Sequence, residues 1–185
     1  MSNSQDRILK ISKELKLAHI GSSLTAVGII EEIFKLKKPD EKFVLSNGHA
    51  ALALWLVMGG DDEALPIKES MHADSSWCDA STGSLGHGFG IAIGMALSDR
   101  TKNVYSMISD GECAEGSVWE SLRIAKEQNL TNLKVYCNAN GWASYQATDL
   151  DYLENCIKAF GFPVDFRRTQ NPEGFEELKG HYLKL

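Results

Sequence analysis

An excess of basic residues is missing from this chain: 19 Lys and Arg stand against 25 Asp and Glu, for a formal net charge of −6. The basic residues are spread along the sequence and do not interleave with aromatics, which excludes a nucleic-acid-binding surface as the expected working face. Long apolar runs are missing too. No N-terminal stretch has the length of a signal peptide or a membrane span, so the expectation is a cytoplasmic protein with no membrane partner. Cysteine is sparse and unpatterned: Cys78, Cys113, Cys137 and Cys156 form no CxxC pair and no Cys/His zinc spacing, as expected of free thiols in a reducing compartment. Internal repeats, low-complexity tracts and linkers are absent as well, which leaves residues 1–185 as a single domain. With 43% hydrophobic and 24% charged residues, it has enough apolar content for a core.

The periodicity of the chain is that of an α/β fold with a mainly parallel sheet flanked by helices. Ile8, Leu9, Ile11, Leu15 and Leu17 follow helical spacing after a polar start at Ser2 to Asp6. Thr25 to Lys37 is a second helix, too apolar to be freely solvated. Phe43 to Leu45 is a short strand and Ala50 to Met58 an apolar helix. Asp61 to Ala80 is irregular around a short helix, and Ile91 to Leu97 is helical, with Gly94 for close packing. Strands at Val104 to Ile108, Leu133 to Cys137 and Val164 to Phe166 alternate with helices near Val118 to Gln128, Tyr152 to Phe160 and Phe175 to Lys179.

Within this pattern the segment SDGECAEGSVWESLRIAKEQNLTNLKVYCNANGWAS carries the most chemistry. It reads as a strand end, an acidic glycine turn, a helix, a second strand and an amide-bearing loop. In a parallel β-α-β unit both strands deliver their C-terminal ends to one edge, so Asp110 and Asn140, thirty residues apart, can converge there. A carboxylate, an amide oxygen and a nearby backbone carbonyl are hard ligands, suited to Mg²⁺, with Ca²⁺ as a substitute. Gly111 removes a side chain where a phosphate would approach. The helix starting near Ser117 points its positive end toward the same edge, which favours a diphosphate. Taken alone, Asp110-Gly111 reads first as an ordinary turn.

This arrangement resembles the thiamine-diphosphate motif of the transketolase family, with Ser109 where that family's turn has its first glycine. Three further segments resemble the family in the same order. LKLAHIGSSLTAVGIIEEIF places His19 as a substrate-facing histidine, KFVLSNGHAALALW places His49, and DASTGSLGHGFGIAIGMAL contains a Gly-Ser-Leu-Gly loop, Gly83, Ser84, Leu85 and Gly86, whose backbone contacts the cofactor. The resemblance runs from about His19 to Asn140. It implies a thiamine-diphosphate-binding fold in which Asp110, Asn140 and the backbone carbonyl of Trp142 hold Mg²⁺. Gly111, Glu112 and His49 would then line the cofactor, and His19, His49 and His72 would serve sugar hydroxyls. For each histidine the other reading is a helix-end cap or a half-buried structural ring. Glu115 and Glu120 match family acids of a carboxylate network between cofactor sites, while Ser117-Val118-Trp119-Glu120 also reads as a capping box. Roles for His87, which replaces a glutamine common in that loop, and for His181 stay open.

The family's active site lies between two domains, and the glutamate that activates the cofactor comes from the other one. The resemblance therefore implies an N-terminal, diphosphate-binding subunit of a split enzyme. A separately encoded partner carries the pyrimidine domain, in an α2β2 assembly whose interface exceeds about 1,000 Å². The implied reaction is transfer of a two-carbon ketol unit from a ketose, phosphorylated or not, to an aldose. The alternatives are 1-deoxyxylulose phosphate synthesis by a related subunit, or a non-catalytic regulatory subunit that keeps the fold.

Overall fold

The computed structural model describes residues 2–66, 72–143 and 146–178. Helix α1 (Asn3–Leu15) opens on a capping box in which the Ser2 hydroxyl accepts the Gln5 N–H while the Gln5 side chain accepts the Ser2 N–H. It is followed by α2 (Ile20–Leu36), β1 (Lys42–Leu45), a 3-10 turn at Gly48–Ala50, α3 (Ala51–Val57), α4 (His87–Ser98) and β2 (Val104–Ser109). A second 3-10 turn at Gly111–Ala114 leads into α5 (Gly116–Glu127), β3 (Leu133–Ala139), the short antiparallel pair β4 (Trp142–Ala143) and β5 (Gln146–Ala147), α6 (Leu150–Ala159) and β6 (Val164–Arg168).

Strands β1, β2, β3 and β6 form one parallel sheet in that order. Side chains alternate across it as the pleat requires. Phe43, Leu45, Tyr105, Met107 and Tyr136 pack with α1, α2 and α3 on one face, while Val44, Val104, Ile108, Val135 and Cys137 pack with α4, α5 and α6 on the other. Because both faces are covered, β2 is buried along its whole length, which explains its apolar run VYSMIS. A sheet covered in this way leaves its C-terminal edge as the open place for a ligand. No helix among the described residues is long and apolar enough to cross a membrane.

Several boundaries differ from the sequence-based expectation. Helix α2 begins at Ile20 and α4 at His87, each earlier than its apolar run, because Gly21 to Ser23 and Gly88 to Gly90 are weak helix formers that tertiary burial nonetheless makes helical. Residues 175–178 of the expected final helix form turns, with Phe175 N–H donating to Pro172 and Leu178 N–H to Phe175; Lys179 lies outside the described residues. The described part of 61–80 contains turns and no helix. Helix α5 starts at Gly116 with Glu115 in the cap position and no side-chain cap bond. The capping box expected from Ser117 to Glu120 therefore does not form: Ser117 is already inside the helix, and Glu120 pairs with Arg123.

Candidate active site

The edge is assembled from the residues that follow successive strands. Asp110, directly after β2, is 2% exposed, and its carboxylate accepts the N–H groups of Gly111 (3.0 Å), Gly141 (2.7 Å) and Trp142 (3.2 Å). Asn140 follows β3, and its Oδ1 accepts the same Trp142 N–H at 3.0 Å. One backbone donor thus holds the carboxylate and the amide oxygen side by side. Gly141 turns in the left-handed region (φ +81°), which carries the chain back over the Asp110 turn. Ser109 lies within β2, outside the positive-φ residues, so serine replaces glycine there without backbone strain. A Cβ placed on Gly111 would lie in ordinary contact, 3.8 Å from the Trp142 carbonyl oxygen. The protein's own packing therefore does not demand glycine at 111.

The amide of Asn140 is oriented from below by α2. The Thr25 hydroxyl donates to the Gly21 carbonyl and accepts from Asn138 Nδ2 at 3.0 Å and Asn140 Nδ2 at 3.5 Å. Fully buried Asn138 in turn accepts the Thr169 hydroxyl at 2.6 Å. A hydroxyl carries one proton, so with that proton spent on Gly21 it can only accept from the two amides, which turns the Asn140 oxygen away from Thr25. Sequence reasoning missed Thr25, Asn138 and Thr169. The available signal was an asparagine inside the apolar run of β3, where a buried polar side chain requires partners.

Three imidazoles gather at the start of α2. His19 caps the helix in the left-handed region (φ +59°), and its ring centroid lies 5.2 Å from that of His49 and 6.5 Å from that of His72. A β-carbon-bearing residue held in this conformation is strained, and such strain collects at working sites. His49 is buried and His72 exposed. The His72 ring lies against Gly83, where a Cβ would come within 2.6 Å of it, so the histidine cluster borders the Gly83 to Gly86 loop. Next to His49, the side chain of Asn47 is fully buried, yet neither its oxygen nor its nitrogen makes a hydrogen bond among the described residues. A buried amide left in this state is costly unless a ligand or water serves it.

Glu112 is fully buried, with both oxygens bonded to protein donors, and burial pushes its carboxyl up to about 7. Glu115 and Glu120 are exposed at the start of α5; the Glu115 N–H donates to the Glu112 carbonyl, and its Cβ abuts Gly86. Ser84 and His87 are exposed and Leu85 half-buried. His181 lies outside the described residues. A 720 Å³ cavity bordered by Ser22, Thr25, Asn140, Thr169 and Glu176 adjoins the Asn140 side of this edge.

Asp110, Asn140 and the Trp142 carbonyl offer only oxygen atoms, the donors that a hard cation takes. Among the described residues no group of three His, Cys, Asp or Glu is placed to hold a metal. A cation held by Asp110, Asn140 and the Trp142 carbonyl would be oxygen-bound, as Mg²⁺ and Ca²⁺ prefer. Burial pushes the Asp110 carboxyl up to about 6, against the pull of its backbone N–H bonds. A cation must then displace a proton at lower pH. Divalent-cation affinity is expected to be flat above about pH 6 and to fall by on the order of tenfold per unit below it. Mn²⁺ titrations between pH 5 and 7.5 check this, and an affinity independent of pH across that range would remove Asp110 from the ligand set.

Known proteins resemble this chain over most of its length. The family model described as 1-deoxy-D-xylulose-5-phosphate synthase matches residues 5–159. Human transketolase-like protein 2 is 36% identical over 146 residues, covering 67% of this chain and 23% of the relative. The 6-deoxy-6-sulfo-D-fructose transketolase subunit SqwG of Clostridium sp. (strain MSTE9) is 30% identical over 182 residues, covering 82% of this chain and 66% of the relative. The chain thus spans about a quarter of the human relative and about two thirds of the clostridial one. Transketolase from Leishmania mexicana superposes with a TM-score of 0.71 at 17% identity, over 98% of this chain and 39% of that one, and shares the fold. The sheet edge, the ordered motifs and these matches together establish that the chain belongs to the transketolase family, as an N-terminal thiamine-diphosphate domain of the kind shared with 1-deoxy-D-xylulose-5-phosphate synthase.

Proposed function

We propose that this chain is the diphosphate-binding subunit of a split transketolase-like enzyme, which moves a two-carbon ketol unit from a ketose or ketose phosphate to an aldose. The observation that carries the reading is the meeting of Asp110 and Asn140 on one Trp142 N–H, on the same sheet edge as three histidines. Asp110, Asn140 and the Trp142 carbonyl hold Mg²⁺ on the diphosphate. The backbone of the Gly83 to Gly86 loop flanks the cofactor. Thiamine diphosphate, when bound, supplies the nucleophilic carbon and electron sink needed to break the carbon-carbon bond. His19, His49 and His72 orient the sugar hydroxyls and carry protons to and from them. Glu115 and Glu120, exposed at the start of α5, are available to a neighbouring subunit's carboxylates.

The split arrangement draws support from the clostridial relative, whose name describes a subunit and which this chain matches over most of its own length. The partner would supply the pyrimidine-side domain and its acid, in an α2β2 assembly in the cytoplasm. The matching family model favours one second reading, 1-deoxyxylulose phosphate synthesis. Both are tested by assaying the chain alone and co-purified with the product of the adjacent gene, with Mg²⁺ and thiamine diphosphate in each assay. Ketol transfer only in the mixture is expected. Activity of the chain alone overturns the split arrangement, and product analysis separates the two reactions. A cofactor-bound mixture without turnover would favour a regulatory subunit.

A further inference from the structure

The carboxylate of Glu112 lies two residues beyond Asp110 and is fully buried, with no cation beside it among the described residues. It is nonetheless saturated with hydrogen bonds. Its Oε1 accepts the Ser46 hydroxyl and the Gly86 N–H, both at 2.7 Å, and its Oε2 accepts the Ser109 N–H at 3.1 Å. The donors come from three separate segments: the end of β1 just before Asn47-Gly48-His49, the loop ahead of α4, and the end of β2 just before Asp110. The two bonds at 2.7 Å are as short as the charge-assisted bonds that an ionised carboxylate accepts. Retaining a buried acid here costs desolvation that an apolar residue of the same size would not, so its value lies in what it aligns.

We propose that Glu112 is a positioning residue that clamps the Gly83 to Gly86 loop to the Asp110 turn and the His49 turn, fixing the distance between the groups that hold the diphosphate and those that flank the rest of the cofactor. The function of the clamp rests on the thiamine-diphosphate reading above, whereas its existence does not. Asp110 and Asn140 have their own hydrogen bonds to Gly111, Gly141 and Trp142, so the cation end of the site survives without Glu112. The loop has no comparable anchor at Gly86, whose N–H is spent on Glu112 and whose left-handed backbone (φ +78°) depends on where that bond holds it. Glu112 therefore contacts no substrate and acts through the loop.

The test is Glu112→Gln, an isosteric change that puts an NH₂ group opposite one of the three donors. In the full chain, exchange of the Gly86 amide hydrogen, followed by NMR, is expected to quicken by about tenfold or more while amides in α1 and α6 are unchanged. In the enzyme assembled with its partner, the Kd for thiamine diphosphate at saturating Mg²⁺ is expected to rise by about tenfold, and that for inorganic diphosphate with Mg²⁺ by less than about threefold. Ser46→Ala, which leaves the acid in place and removes one partner, should shift the same two readouts in the same direction by a smaller amount. Unchanged Gly86 exchange in both variants overturns the clamp. Equal losses for the two ligands also overturn it, because they mark a general collapse of the edge. A wild-type assembly that binds neither ligand would refute the diphosphate reading instead, and Gly86 exchange would still decide the clamp.

Discussion

Asp110→Asn is expected to abolish Mg²⁺-dependent thiamine diphosphate binding in the assembled enzyme while leaving the ligand-free chain folded at pH 7. The carboxylate is the single formal charge offered to the cation by the Asp110, Asn140 and Trp142 set. Its loss removes a charge-assisted contact worth about 2–3 kcal/mol and leaves a neutral amide beside the metal, so a loss of affinity of about 100-fold or more is reasonable. The stability half follows from the sign of the pKa shift. Burial raises the Asp110 carboxyl in the folded chain to about 6, above the ordinary aspartate value of 3.8. Between those two values the folded state binds more protons than the unfolded chain, so this group's contribution makes stability fall as pH rises and then level off above about 6. Removing the charge removes that penalty, which offsets the cost of turning an amide NH₂ toward one of the N–H donors that the carboxylate accepts. Isothermal titration and thermal melts at pH 5 and 7 measure the two halves. A variant that binds cofactor normally, or one that loses binding only because it melts, would contradict the assignment. Lost cofactor binding with a largely retained melting temperature separates a ligand from a structural acid, because removing an acid retained for stability would lower Tm in step with binding.

The second large effect is expected at Gly86. An alanine there would take φ +78° and place its Cβ 2.3 Å from Ser117 Oγ and 3.1 Å from the Glu115 Cβ. The left-handed conformation costs about 1–2 kcal/mol for a residue with a Cβ, and the overlap requires the start of α5 or the loop to move. A destabilisation of about 2–4 kcal/mol, or a fall in Tm of roughly 5–15 °C, is expected, with thiamine diphosphate binding lost along with it. Gly90, four residues on in α4, has open space around its Cβ position and is the matched control. Gly90→Ala should be neutral or stabilise the isolated chain by about 0.5–1 kcal/mol, because it only restricts the unfolded state. Equal melting temperatures for the two variants would mean that the loop is not tied to α5 as described.

Much of this site was readable as short, local chemistry. Asp110-Gly111 and the SNGH turn each lie where a buried strand gives way to a glycine-bearing turn, which the alternation of elements places at a sheet edge, whereas the Gly-Ser-Leu-Gly loop follows no strand and was legible only through its resemblance to the transketolase family. The hydrogen bonds that organise them were not readable, since they join residues far apart in sequence: Ser46 to Glu112 across 66 positions and Thr25 to Asn138 across 113. Glu112 shows the difference best. As a letter it is an acid beside a metal turn and suggests a cofactor contact, whereas in the fold both its oxygens are taken by the protein. Glu120 shows the converse: its spacing from Ser117 suggested a cap, but the cap position falls on Glu115, two residues earlier, and the acid turns to Arg123.

The amino-acid sequence by itself determined the α/β alternation, the parallel connection of the strands and the hard-oxygen character of the Asp110 and Asn140 pair. These depend on residue type and on spacing within one β-α-β unit. Tertiary structure alone decided that His19, His49 and His72 share one face, that Thr25 sets the orientation of the Asn140 amide, and that Glu112 ties three turns together. Those facts depend on the register between strands and on how α2 and the loop before α4 pack over the sheet edge. That packing is set by burial summed over the two cores, and no local pattern encodes it.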